Sequence, residues 1–214
     1  LLRADLHIHT LFSPDSTTRL EKIVSRCLEI GINCIAVTDH NTIAGAIHMQ
    51  EKAPFTVIVG EEVQTLDGEV IGLFLTNEIP SRLPAEETVV RIKAQGGLVL
   101  IPHPFDRFRR PTLNRQTLEA LLPHVDIIEV FNSRAAILSD SDRAQAFAQN
   151  HGLLSSAGSD AHTIGEIGNA YVEMPEFSGR EEFLSALAQG RIFGRRSSPW
   201  VHLLSSWARL RKLF

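Results

Sequence analysis

Hydrophobic positions along the chain come in two rhythms that take turns. Residues 4–9, Ala4-Asp5-Leu6-His7-Ile8-His9, open as a short strand, and a polar turn, Ser13-Pro14-Asp15-Ser16-Thr17-Thr18, follows. From 18 to 30 the spacing becomes helical: Leu20, Ile23, Val24, Cys27 and Leu28 share one face, and Gly31 supplies a stop. Residues 32–37 form a continuous apolar run of strand type that ends in Thr38-Asp39-His40-Asn41. The exchange then repeats. Helical spacing covers 43–51, 85–95, 113–122, 141–150 and 180–188. Strand-like runs cover 55–59, 98–101, 126–131, 153–157 and 170–174, the last expected to complete the sheet. Residues 63–75 stand apart, because Leu66-Asp67-Gly68-Glu69 is a turn between two extended segments and predicts a hairpin.

Strands alternating with helices predict an α/β fold with a largely parallel sheet, either doubly wound or closed into a barrel. The residues just past each apolar run discriminate between the two. His7 with His9, His40, Glu62, His103, Asn132, and Asp160 with His162 each end a different strand. In a (β/α) barrel the carboxyl ends of all strands ring one mouth, whereas an open sheet brings only the strands beside its switch point to a ligand. Six such ends favour a TIM-like barrel of about seven strands.

Composition narrows this only a little. A chain of 214 residues with 43% hydrophobic content suits one domain with a sizeable core. No apolar run approaches the ~20 residues of a membrane-spanning helix, and the start does not read as a signal peptide. Cys27 and Cys34 are too few for a disulfide framework and are expected as buried thiols in a cytoplasmic protein. The net charge of −4 gives no general attraction to nucleic acid. Charge is unevenly spread, however. No acid follows Glu182, while Arg191, Arg195, Arg196, Arg209, Arg211 and Lys212 lie beyond it.

The strand-end residues carry the chemistry. His7 and His9 stand at i and i+2, on one side of a strand, and Asp160 and His162 repeat that spacing. Imidazoles and carboxylates without thiolate suit Zn, Mn or Fe. His7, His9, Asp15, His40, Glu62, His103, Asp160 and His162 exceed the needs of one ion, so two ions fit, and a carboxylate such as Glu62 can bridge them. Several positions allow a second reading. Asp15 can cap the helix that follows it, Asp39 can orient a neighbouring imidazole, and Glu61 competes with Glu62 because adjacent strand residues face opposite ways. His48, His124, His151 and His202 match no strand end and are assigned to surface or helix positions.

Asp5-Leu6-His7-Ile8-His9-Thr10, Thr38-Asp39-His40-Asn41, Gly60-Glu61-Glu62-Val63, His103-Pro104, Glu129-Val130-Phe131-Asn132 and Gly158-Ser159-Asp160-Ala161-His162 together resemble the PHP (polymerase and histidinol phosphatase) family, most closely its small stand-alone phosphoesterases. The resemblance runs from residue 4 to 194, which leaves 195–214 as a basic, amphipathic C-terminal segment. It implies a distorted seven-stranded (β/α) barrel with two or three metal ions at the carboxyl ends of the strands. By the same resemblance His7, His9, Glu62 and Asp160 would hold one ion, Asp15, His40 and His162 another, and Glu62 rather than Glu61 would bridge. Members with a third ion usually carry a further histidine in the strand where this chain has Val70-Ile71-Gly72. That aliphatic stretch leaves His103 to share an ion with Glu62 alone, so a third ion is expected to be weak or absent.

The expected reaction is phosphate-ester hydrolysis, in which a metal-bound hydroxide attacks phosphorus in line. Asp160 and His103 stand nearest that chemistry, with His103 a candidate proton donor to the leaving group. Arg107, Arg109, Arg110 and Arg134 follow two of the strand ends, and Arg107 and Arg134 are the chosen phosphate-binding residues. The expected substrates are nucleotides, small phosphorylated metabolites or the 5′ end of a short oligonucleotide. Duplex binding is not expected, since aromatic residues are only 7% and form no stacking platform. C–N bond hydrolysis by an amidohydrolase, or a non-catalytic accessory domain, are the alternatives. The first usually needs a bridging carbamylated lysine, and no lysine sits at a strand end. Residues 199–214 suit a last helix against the barrel wall, with a membrane surface or an acidic partner as the other reading.

Overall fold

The computed structural model describes residues 1–107, 112–198 and 200–212. Among these residues nine strands form one sheet: β1 (Leu2–Ile8), β2 (Cys34–Val37), β3 (Thr56–Gln64), β4 (Glu69–Leu73), β5 (Leu98–Ile101), β6 (Ile127–Asn132), β7 (Leu154–Gly158), β8 (Ala170–Met174) and β9 (Arg191–Gly194). Seven helices connect or follow them: α1 (Leu20–Ile30), α2 (Ala44–Lys52), α3 (Ala85–Ala94), α4 (Arg115–Leu121), α5 (Leu138–His151), α6 (Gly179–Ala188) and α7 (Val201–Arg211). The sheet order is β7-β6-β5-β4-β3-β2-β1-β8-β9.

Residues just beyond β7 return to β1. His9 N–H donates to Ala161 O at 2.9 Å and Asp160 N–H to His7 O at 2.8 Å, which draws the sheet into a nearly closed barrel. Gly158 permits the approach, because a Cβ there would stand 2.3 Å from His7 Cβ.

Two expectations need correction. The sheet has nine strands rather than seven, and it is mixed rather than largely parallel. β4 runs antiparallel to β3 and β5, as a short hairpin requires, β8 runs antiparallel to β1, and β9 extends the sheet antiparallel to β8. Strand β9 escaped the sequence pattern because it is a short edge strand whose residues are only partly buried.

Alternation along the strands divides the core. Ile35, Val37, Val57 and Val59 face outward beneath helical residues such as Ile23, Cys27 and Met49, while Ala4, Leu6, Ala36, Ile58 and Leu100 face inward. Phe183 of α6 joins the inner cluster with Phe74 and Phe177, ring centroids 5.2 and 5.1 Å away. The inward face turns polar only towards one rim, where β3 passes from Ile58 through Gly60 to Glu62.

Candidate metal centre

His7 and His9 leave β1 with their Nε2 atoms 3.1 Å apart. Glu62 Oε2 lies 3.4 and 3.3 Å from those nitrogens, and Asp160 Oδ1 lies 3.7 and 3.3 Å from them. A tetrahedron with bonds of about 2.1 Å has edges of about 3.4 Å, so His7, His9 and Glu62 are spaced to share a divalent cation of the Zn, Mn or Fe class, with Asp160 beside both imidazoles. All four side chains are buried. Burial alone would depress the His9 imidazole, but Asp160 and Glu62 carry it up to about 9. Burial opposes protonation of His7 too, and Asp160, Glu129 and Glu62 overcome it. Burial would raise Glu62, yet His7, His40 and His103 hold it well below the usual carboxylate range. Protons and a cation compete for the same point.

A second group adjoins the first. Asp15 Oδ2 is 3.4 Å from His40 Nε2, Asp15 Oδ1 is 3.3 Å from His162 Nε2, and His9 stands near enough to share an ion with all three. His40 Nδ1 turns back to Glu62 Oε2 at 3.3 Å, so Glu62 touches both groups. Burial would raise the Asp15 carboxyl, but hydrogen bonds from His162 and His40 hold it far below its ordinary value. His162 moves the other way: burial, His9 and Arg134 depress it to about 3, which keeps it neutral.

Sequence reasoning missed part of the site. Glu129 of β6 meets His7 Nδ1 with Oε1 at 3.0 Å, and its Oε2 accepts from His103 N–H at 2.9 Å and from Asn132 Nδ2 at 3.0 Å. Asn132 Nδ2 also donates to Asp160 Oδ2 at 3.1 Å. One buried carboxylate thus fixes the ring of His7, the backbone of His103 and, through Asn132, the side chain of Asp160. This matters because His103 and Asp160 have φ of 30° and 53°, left-handed conformations that non-glycine residues hold only under such constraint.

Glu69 was missed as well. His103 Nε2 lies 3.2 Å from Glu62 Oε1 and 3.7 Å from Glu69 Oε2, and Glu69, Glu62 and His40 stand close enough to share an ion. Residues 70–72 are aliphatic as expected, but Glu69 just before them adds a carboxylate beside His103 and Glu62. Gln64 pairs with Glu69 and Glu62 with Ile71, so Glu69 shares the face of Glu62. Because β4 is reversed, its first residue rather than its last reaches the rim.

The remaining candidates serve elsewhere. Asp39 accepts from Thr10 N–H and Thr10 Oγ1, both at 2.6 Å, and so ties down the loop after β1, reaching an imidazole only through Ser13, whose Oγ lies 2.9 Å from His9 Nδ1. Glu61 points to the outer side of β3. Arg107 is half exposed, with Nε 3.2 Å from Asp140. Arg134 is buried: Nε faces Glu166 at 3.2 Å, Nη1 faces His162 Nδ1 at 2.6 Å, and Nη2 donates to Val201 O and Ser205 of α7. Arg109 and Arg110 lie outside the described residues. Helix α7 stands over the metal rim rather than on the barrel wall, with Arg209 Nη2 2.9 Å from Asp15 Oδ2. Among the described residues no helix is long and apolar enough to cross a membrane.

Comparisons with known proteins bear on the same region. A family model described as PHP-associated matches residues 139–192. The chain is 37% identical over 196 residues to an uncharacterised protein of Methanocaldococcus jannaschii, covering 87% of this chain and 79% of the relative. A solved two-domain protein of Bacteroides vulgatus, containing a predicted PHP-like metal-dependent phosphoesterase, superposes with a TM-score of 0.75 at 19% identity, over 91% of this chain and 65% of that one. An amidohydrolase of Chromobacterium violaceum, solved with bound sulfate and no metal, gives 0.59 at 17% identity, over 95% of this chain and 96% of its own. At those identities the two structures speak for the fold.

Proposed function

The chain belongs to the PHP family, and from that premise we propose that it hydrolyses phosphate esters of small molecules or of the ends of short oligonucleotides. The observation that carries this is the convergence of His7, His9 and Glu62, with Asp160 Oδ1 3.3 Å from His9, beside a second group of Asp15, His40 and His162 that shares His9 and meets Glu62 through His40. His7, His9, Glu62 and Asp160 would hold one cation, and Asp15, His40 and His162 a second. His103, Glu69 and the second oxygen of Glu62 offer a third, oxygen-rich position that suits Mn or Fe better than Zn. Bound there, divalent cations activate water at neutral pH and neutralise phosphoryl charge.

The side chains do the rest. Glu129 and Asn132 hold the His7 and Asp160 donors in register, so little reorganisation remains when substrate arrives. His103, whose Nε2 lies 3.2 Å from Glu62 Oε1, is the chain's own candidate for protonating the leaving oxygen where it holds no cation itself. Arg134, spent on internal partners, positions His162 and the start of α7. Arg107 is free enough to reach the distal part of a substrate.

C–N bond hydrolysis, suggested by the C. violaceum description, lacks a bridging lysine: Lys93 pairs with Asp126, and Lys212 bonds to loop carbonyls. The test is to strip the protein of metal, reload it with Mn, Fe or Zn, and offer p-nitrophenyl phosphate, nucleoside monophosphates, 5′-phosphorylated oligonucleotides and N-acyl compounds. Metal-dependent release of phosphate is expected. Full loading with turnover of no phosphate ester would overturn the proposal.

A further inference from the structure

We infer that α7 is a wall of the active site and that its Arg209 binds the phosphate of the substrate, an inference that rests on the phosphoesterase reading above. The helix is held in place rather than merely adjacent. Lys212 Nζ donates to Leu11 O at 2.6 Å and also to Ser13 O, both in the loop that carries Asp15. Arg134 binds Val201 O and Ser205, and Ala208 is buried beneath the helix. The approach to α7 is stitched down as well. Arg195 N–H donates to Asn169 O and Ser197 N–H to Ser133 O, each at 2.7 Å.

This seating brings one guanidinium to the mouth of the site. Arg209 Nη2 stands 2.9 Å from Asp15 Oδ2, and Asp15 belongs to the second donor group with His40 and His162. Among the described residues, the cations nearest Arg209 are engaged. Arg134 is buried against Glu166, His162 and α7, and Lys212 is spent on two carbonyls, while Arg107, half exposed and paired with Asp140, is left for the distal part of a substrate. The Arg209 side chain is 62% exposed, so one nitrogen rests on Asp15 while much of the fork faces solvent at the mouth. Only the Arg209 half of the pair is exposed, since Asp15 is buried, and solvent screens that half. Cations bound at Asp15 would draw off its charge and loosen its hold on Arg209, leaving a planar fork to meet a phosphate bidentately.

The chain's two tryptophans, Trp200 and Trp207, flank and lie on α7, so their fluorescence reports this helix directly. Metal-loaded wild type titrated with inorganic phosphate should show a saturable change. Arg209→Ala should weaken that binding about 10- to 100-fold, the range for losing a charge-assisted hydrogen-bonding group, and Arg209→Lys should recover part of it. Arg115→Ala, at an exposed arginine paired with Glu119, serves as control. With p-nitrophenyl phosphate, Arg209→Ala should raise KM by a similar factor while kcat stays within about threefold. Its metal content should match wild type.

Unchanged phosphate affinity in Arg209→Ala, or a wild type that binds no phosphate, would overturn the inference. Loss of metal in parallel with loss of affinity would also overturn it, since Arg209 would then be only a counter-ion for Asp15. A wild type that binds phosphate through Arg209 yet hydrolyses no ester would leave this inference standing and defeat the phosphoesterase reading.

Discussion

Glu61 and Glu62 are neighbours on one strand, equally buried, and they live in opposite worlds. Glu62 faces the inner rim, where His7, His9, His40 and His103 surround it and hold it ionised against burial. Glu61 faces outward with Val59 and Val63. Its Oε2 accepts one bond, from Ile79 N–H at 2.8 Å, and its Oε1 has no hydrogen-bond partner. Burial therefore pushes it up to about 7, helped by nearby Glu78. Position within the pleat, not residue type or depth, separates a group that gathers charge from one that sheds it.

The contrast can be broken most strongly from the inside. Glu62→Gln keeps the shape but removes the shared charge. It should cut kcat/KM by on the order of 10³-fold and lower the bound metal per chain in elemental analysis. Full metal occupancy with near-normal turnover in that variant would refute the bridging role. Glu69→Ala tests how far the inner face extends along the hairpin. A loss of about 10- to 100-fold in affinity for the last cation to bind is expected, with the first retained. Identical titrations of wild type and variant would remove Glu69 from the site.

The outer face should yield the smallest effect, and one of stability alone. The folded-state value of Glu61, about 7, lies above its usual 4.5, so between these the folded protein keeps a proton that the unfolded chain has lost. The stability linked to that proton is whole below about 4.5 and fades as pH rises through 7. Glu61→Gln should abolish this loss, making the variant more stable than wild type by roughly 2–3 kcal/mol at pH 8, with activity unchanged. Urea midpoints measured from pH 4 to 8 decide the matter, and parallel slopes for the two proteins would exclude it.

Much of this was legible in the chain beforehand. The alternating runs marked β1, β2, β5, β6 and β7 with their helices, and ligand-type residues stood where the apolar runs broke off. A buried strand must stay apolar until it leaves the barrel, so the first polar residues after it mark the rim. Glu69 stayed hidden because that rule assumes parallel strands, and a reversed strand brings its beginning to the rim. Glu129 stayed hidden inside an apolar strand, where nothing local distinguishes an orienting carboxylate from a buried mistake.

The sequence by itself therefore determined most of the donors, all but those on the reversed hairpin and inside an apolar strand, and the order of the main elements, because both follow from local periodicity and from where each run ends. Tertiary structure decided the rest: the closure of β1 against the segment after β7, the direction of β4, the seating of α7 and its Arg209 over the rim, and the opposite fates of Glu61 and Glu62. Each depends on contacts between residues far apart in the chain, and no local pattern carries the free energy of such contacts.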